Sequence, residues 1–266
     1  MSRSDSTFRY KCYLTNRKIF GEIDAIVECV ELSVREFSRQ VQKADDPEGY
    51  IVDMARQNGV RVNTVKFPDL HQRTSCLHIL NVYQQFDVFL NEFKREASGI
   101  SLSSEQGNES LFMQILGCLD NVDGLVSELE IEILEYYREI RNIFMHGDVR
   151  PDKAERRRKK MAGIDQSDGI LEKYDAPNCY ENIQFDDFVL FTKVAKDVEK
   201  KLCILARPSN DQIAELLRET RGYRSAQKLK TNPERMRRAL IQLCATEYAL
   251  SKGEADEIVR ILLPEH

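Results

Sequence analysis

Apolar side chains in this chain recur at alternating steps of three and four residues, over stretches long enough to demand long helices. One such run is Leu129, Ile133, Tyr136, Ile140 and Phe144. Steps of this size return each side chain to one face of an α-helix. Ser127-Glu-Leu-Glu130 reads as a capping box that opens the helix. Gly147 stands where a helix C-cap is expected, and Pro151 forbids continuation. A helix over 127–146 would be ~30 Å long, enough to run the length of a bundle.

The same period appears elsewhere. Ile23, Val27, Val30, Val34, Phe37 and Val41 line one helix face. Ile79, Tyr83, Phe86, Leu90 and Phe93 line another, on a long helix that starts near Pro68. A third stripe is Phe188, Phe191, Ala195, Val198, Leu202 and Leu205. Shorter helices are expected over 47–57, 109–118, 210–221, 233–247 and 252–263. Residues 8–14 and 60–67 alternate in polarity instead and read as two short strands. Two stretches lack periodicity: 99–108, a polar loop, and 147–183, a long, mobile, basic loop. The expected fold is therefore mainly all-α. An antiparallel bundle over 1–206 is followed by a small helical appendage over 207–266.

Composition narrows the class. Apolar residues make up 42% and charged residues 31%, which suits a globular chain with solvated helix backs. The net charge of −5 gives no global affinity for nucleic acid, so any basic surface must be local. Met1-Ser-Arg-Ser-Asp-Ser has no apolar core behind its positive charge and does not read as a signal peptide. No apolar run approaches the ~20 residues that span a bilayer. Seven widely spaced cysteines without a CxxC read as reduced thiols, which places the chain in the cytoplasm.

Phosphate-loop, dinucleotide, zinc-protease and nucleophile-elbow signatures are missing. His71, Cys76 and His78 are close in sequence, but Cys76 and His78 would point ~200° apart on a helix, so no metal site is expected and no cofactor is implied. Arg141-Asn142-Ile143-Phe144-Met145-His146 is different. Asn142 and His146 are four residues apart and share a face, with Arg141 beside them, at a helix end. Imidazole is available in both protonation states near neutral pH. Guanidinium offers a planar donor fork that fits phosphate. Together they are the groups needed to cleave RNA without a metal. Arg73-Thr-Ser-Cys-Leu-His78 has the same Arg-to-His spacing but lies mid-helix without the Asn, and reads as chance.

The segment resembles the R-x4–6-H motif of HEPN domains, in the variant with a polar residue after the Arg. The resemblance covers roughly residues 20–206. It implies a helical bundle acting as a metal-independent endoribonuclease, in anti-phage defence or a toxin–antitoxin system, with a composite active site in a homodimer. It further implies that Arg141 contacts the scissile phosphate, Asn142 positions the substrate or the motif itself and His146 is general acid/base. An antitoxin or regulatory protein is an implied partner. Members paired with nucleotidyltransferase antitoxins usually carry Tyr two residues after the His; here that residue is Asp148, so the resemblance does not extend to that mode of control.

Arg138, one turn before the motif, and the run Arg156, Arg157, Arg158, Lys159 and Lys160 are the expected RNA contacts. Over 218–238 cations outnumber carboxylates by eight to two, with Tyr223 as a candidate stacking platform. Glu128, Glu130, Glu132 and Glu135 of the central helix read as a solvated face rather than a metal site. The alternative function is a non-catalytic helical module that binds RNA or a protein partner, in which Arg141 and His146 merely cap the helix.

Overall fold

The computed structural model describes residues 6–62, 67–97, 100, 109–147, 151–164 and 169–263. Most of the expected 99–108 loop, residues 63–66 of the second expected strand and Asp148 lie outside them. Twelve α-helices and no strand occur among the described residues. They are α1 (Lys11–Lys43), α2 (Pro47–Gln57), α3 (Phe67–Glu96), α4 (Leu111–Gly117), α5 (Glu128–His146) and α6 (Pro151–Ala162). There follow α7 (Ile170–Tyr174), α8 (Phe185–Leu205), α9 (Asn210–Glu219), α10 (Arg221–Gln227), α11 (Pro233–Tyr248) and α12 (Lys252–Leu262).

Residues 11–14 are the first turn of α1 rather than strand. The Glu96 carboxylate accepts from the Cys12 N–H at 3.1 Å, satisfying a donor that a helix start leaves orphaned. The alternation that suggested a strand is not seen in the burial: Phe8, Arg9 and Tyr10 are all buried in an irregular lead-in. Residues 60–62 are irregular and exposed.

The chain divides into two compact units. One comprises Met1–Arg17, Asp87–Ser127 and Lys196–His266; the other comprises Lys18–Phe86 and Glu128–Ala195. In the first, Phe8 stacks on Tyr248 at 5.3 Å between ring centroids and meets Tyr10 edge-on at 4.9 Å. Tyr10 in turn meets Phe93 edge-on and donates its hydroxyl to the Ala206 carbonyl at 2.7 Å. Ser209 and Ser251 form capping boxes that open α9 and α12.

Glu254 of the second box has a further task. Its carboxylate accepts from Ser6 Oγ at 2.6 Å, from Thr7 Oγ1 at 2.5 Å and from Ser251 Oγ at 2.8 Å. It therefore pins the N-terminal lead-in to α12. Burial alone would raise the pKa of this carboxyl, but the hydrogen bonds from Ser6, Thr7 and Ser251 outweigh it and hold the group at about 2.

In the second unit, α5 buries Leu129, Ile133, Tyr136 and Ile140 as the period predicts, and Tyr137 as well. The buried face of α8 begins with Phe188, Phe191 and Val194. Asp187, fully buried, accepts from Tyr137 Oη at 2.8 Å, from the backbone N–H of Asn178 and Gln184 at 2.9 Å each, and from Asn178 Nδ2 at 3.0 Å. Four donors on one carboxylate fix the chain between α7 and α8 against α5. Burial still pushes this carboxyl up from its ordinary value.

The expected face of α1 is only partly covered. Val27 and Val41 are buried, together with Glu31 and Ser38, whereas Val34 and Phe37 are half-buried and Val30 is exposed.

A folded-state pKa below the unfolded value stabilises the fold above the unfolded pKa, and that contribution is lost as pH falls through the folded one. Glu254→Gln is therefore expected to lower the unfolding free energy at pH 7 by about 1–3 kcal/mol in urea titrations. The gap from the parent should narrow as pH drops from about 4.5 towards about 2. A gap independent of pH over that window would refute the pinning role.

Candidate functional site

α5 ends where the sequence says it must. Gly147 has φ +57°, the left-handed cap that favours glycine, and donates its N–H to the Ile143 carbonyl at 3.1 Å. The last turn therefore presents Arg141, Asn142, Met145 and His146 at an exposed helix end. Its unsatisfied carbonyls carry partial negative charge, which favours cations.

The three motif side chains are brought together. Arg141 Nη1 donates to Asn142 Oδ1 at 2.9 Å and lies 3.5 Å from His146 Nε2. A guanidinium can donate only to a ring nitrogen with a free lone pair, so this contact belongs to the neutral imidazole with its proton on Nδ1. The guanidinium lies over the Tyr83 ring at 5.4 Å, a cation–π contact from α3. Its Nε is buried with no hydrogen-bond partner among the described residues. Arg141 makes no salt bridge among the described residues. A cation positioned by an amide and a ring, and paired with no carboxylate among the described residues, retains its charge for an incoming anion. Tyr83 escaped the sequence reading as a site residue because its place in the α3 stripe marked it only as core.

The other expected RNA contacts are placed differently. Arg138 is ion-paired with Glu135 at 2.9 Å and Glu139 at 3.0 Å. The basic run lies on a helix, α6, and not in the long loop expected over 147–183. α6 lies against the first half of α5. Ala154 and Met161, seven residues apart, are its buried apolar contacts. The remainder of the docking is ionic. Arg157 reaches Glu132 at 2.8 Å and Glu135 at 3.5 Å, and Lys160 reaches Glu128 and Glu132 at 2.8 Å each. Arg158 and Lys159 pair with Glu155 of their own helix at 2.8 and 3.7 Å. Arg156 alone of the five makes no ion pair among the described residues; it donates to the Asp152 carbonyl at 3.0 Å.

Of the glutamates expected to form a solvated face, Glu128 is exposed and Glu130 half-buried, but Glu132 and Glu135 are buried, as is Glu139. Burial would raise the Glu132 carboxyl, but the bonds from Lys160 and Arg157 win and lower it.

The Arg73–His78 pair does not assemble. Arg73 is exposed, while His78 is buried edge-on against Phe185 and Phe188, with its Nε2 lacking a hydrogen-bond partner among the described residues. His71 Nε2 lies 2.7 Å from Ser38 Oγ. Among the described residues no group of three or more His, Cys, Asp or Glu side chains is placed to hold a metal ion. In the 218–238 patch, Arg218 pairs with Glu215, Arg237 with Asp256 at 2.7 Å and Arg238 with Glu234. Tyr223 Oη accepts from Gln227 Nε2 at 2.7 Å.

No helix is long and apolar enough to cross a membrane among the described residues. No known family model, curated protein or solved structure matches this chain.

The ionic docking of α6 has a direct test. Glu132→Gln removes the charge that Arg157 and Lys160 share, in a buried position. It is expected to cost about 2–4 kcal/mol and to raise amide exchange over 152–162 more than elsewhere. Unchanged protection of α6 would show that Ala154 and Met161 suffice to hold it.

Proposed function

We propose that this protein is a metal-independent endoribonuclease of the HEPN type, acting on RNA in the cytoplasm as a homodimer, in anti-phage defence or a toxin–antitoxin system. The observation that carries the proposal is the Arg141 guanidinium. It makes no ion pair among the described residues and stands within 3.5 Å of the His146 imidazole at an exposed helix end. An RNA phosphate that docks on the fork would place a ribose 2′-OH within reach of the ring.

In this reading the 2′-oxygen attacks the adjacent phosphorus while an imidazole takes its proton. Arg141 stabilises the negative charge that grows on the phosphorane oxygens. The P–O5′ bond then breaks, and the 5′-oxygen receives a proton from a second acid. The products are a 2′,3′-cyclic phosphate and a 5′-OH. One protomer supplies one His146, so the base and the acid are best furnished by two copies in a composite site. Asn142 holds Arg141 by its amide oxygen and so acts as a positioning residue. Of the six further cations expected to hold RNA, Arg156 makes no ion pair among the described residues and Lys159 is well exposed, so these two are the available backbone contacts.

A second reading, a non-catalytic RNA-binding or protein-interaction module, is favoured by one observation: Arg138, Arg157 and Lys160 are occupied by α5 glutamates.

Cleavage of a single-stranded RNA in the presence of a chelator separates the two. The nuclease should cut it to 2′,3′-cyclic phosphate ends and leave a strand with one 2′-deoxyribose at the cut site intact there. His146→Ala and Arg141→Ala should each slow cleavage at least ~100-fold while keeping the helical circular dichroism of the parent. Cutting at the deoxy position, or full activity in either variant, would sink the mechanism. Binding without cleavage would favour the module.

A further inference from the structure

α10 departs from a pattern that recurs on other helices of the protein. Elsewhere several surface arginines pair with an acid one turn away on their own helix: Arg35 with Glu31, Arg95 with Glu92 and Arg158 with Glu155. On α10 the residues one turn apart are Arg221, Arg224 and Lys228, all exposed. Lys228 is the C-cap and keeps right-handed helical dihedrals, so the helical spacing extends to it. The three fall within ~60° around the axis and span ~10 Å along it. The other side of α10 packs on α11: a Cβ on Gly222 would collide with Leu243, and Ala226 is buried. The basic face continues beyond the helix. Lys230 lies in the turn to α11, which is closed by hydrogen bonds from the Leu229 N–H to the Ala226 carbonyl at 2.9 Å and from the Asn232 N–H to the Leu229 carbonyl at 2.8 Å. Arg235 is exposed in the first turn of α11. Leu243 marks the side of α11 that meets α10, and Arg235, eight residues earlier, lies ~80° from it, away from the buried Met236 and Leu240. Arg237 turns the opposite way, to Asp256 of α12.

Arg221, Arg224, Lys228, Lys230 and Arg235 make no ion pair among the described residues. Arg224 donates to the Glu219 and Thr220 carbonyls at 3.2 and 3.5 Å, neutral acceptors that leave its charge intact. Between Glu219 and Glu234 the chain carries four cations and no carboxylate. Glu234 is taken by Arg238, and the charge of Glu219 is felt at Tyr248, the last residue of α11. Like charges one turn apart repel and weaken a helix, and an external polyanion relieves that repulsion. Chemistry selects the polyanion. A protein interface is built on an apolar core, and an amphipathic membrane anchor inserts apolar side chains. No large apolar side chain is exposed between Arg218 and Arg238. A phosphodiester backbone needs none: exposed cations hold it by displacing its counterions, and over ~10 Å one strand of a duplex presents about three phosphates. Tyr223 is turned ~130° from the basic face and its hydroxyl is engaged by Gln227, so the face offers cations and no stacking ring. We propose that α10, the turn 228–232 and Arg235 form a second binding surface, which holds the phosphate backbone of a nucleic acid without reading its sequence.

These cations belong to one compact unit of the chain and Arg141 to the other. Backbone binding by α10 is therefore separate from the nuclease reading and does not depend on it.

The probes are fluorescent DNA duplexes of about 20 base pairs in two unrelated sequences, and a 2′-O-methyl RNA duplex of one of them; none can be cut through a 2′-OH. Full-length protein should bind all three saturably and with comparable affinity in anisotropy titrations. The affinity for DNA should fall between about 50 and 200 mM salt with a logarithmic slope of about −4, as five phosphate contacts require. Arg221→Ala, Arg224→Ala and Lys228→Ala combined should weaken binding at least about tenfold at the low salt and flatten the slope by about 3, with unchanged circular dichroism. Arg237→Ala with Arg238→Ala, which removes cations already paired, should weaken it less than about threefold. Absence of saturable binding, or a triple variant that binds like the parent, would overturn the proposal. A preference of about tenfold or more for one sequence or one sugar would also overturn it, because recognition would then go beyond phosphate. So would tighter binding to phosphatidylserine vesicles or to a polyglutamate peptide than to the duplexes, because the partner would then be a membrane or an acidic protein.

Discussion

Carboxylates buried along α5 decide where the cations of this protein go. Glu132, Glu135 and Glu139 lie on a helix whose other face is packed with Ile133, Tyr137 and Ile140. A buried carboxylate without a cation or several donors is strongly destabilising. Arg138, Arg157 and Lys160 meet that demand. α6 is held in place largely because its cations are needed there. The first three turns of α5 are therefore electrostatically closed. In the fourth the pattern ends: Arg141 faces an amide, an imidazole and an aromatic ring, with no acid among the described residues. The distinction between structural and available cations on one helix follows from this single constraint.

That constraint also reshapes the view of the basic run. As a string of letters, Arg156 to Lys160 looks like a nucleic-acid contact. In the fold, most of it is spent on Glu128, Glu132, Glu135 and Glu155. The affinity of the site for a polyanion then has to come from few groups: Arg141 at the centre and Arg156 and Lys159 at a distance along the sequence. Such a site would grip one phosphate well and a long backbone weakly.

The parts of the fold legible in the sequence are those that hydrophobic period and caps determine. α5 begins one residue after Ser127 and stops at Gly147, and the α8 stripe from Phe188 to Leu205 is buried throughout. α2, α9, α11 and α12 fall within a few residues of their expected spans. α6 was invisible because its docking face contributes Ala154 and Met161 and is otherwise made of Arg157 and Lys160; ion pairs leave no trace in an apolar period. α1 misled in the opposite sense. Val30 matched a core pattern and yet is exposed, and Val34 and Phe37 are only half-buried. For the site, proximity of Arg141, Asn142 and His146 could be read from helical spacing. That no carboxylate among the described residues pairs with Arg141, and that the Tyr83 ring lies beneath it, are tertiary facts that no local spacing encodes.

The central claim is that Arg141, alone of the cations on α5, is available to an anion. NMR of arginine side-chain and histidine ring resonances, during titration with an RNA dinucleotide blocked by a 2′-O-methyl group, addresses it directly. The account predicts saturable shifts at Arg141 and His146, with Arg138 and Arg157 unmoved in their ion pairs. Shifts confined to Arg138 or the α6 cations, with none at Arg141, would contradict it.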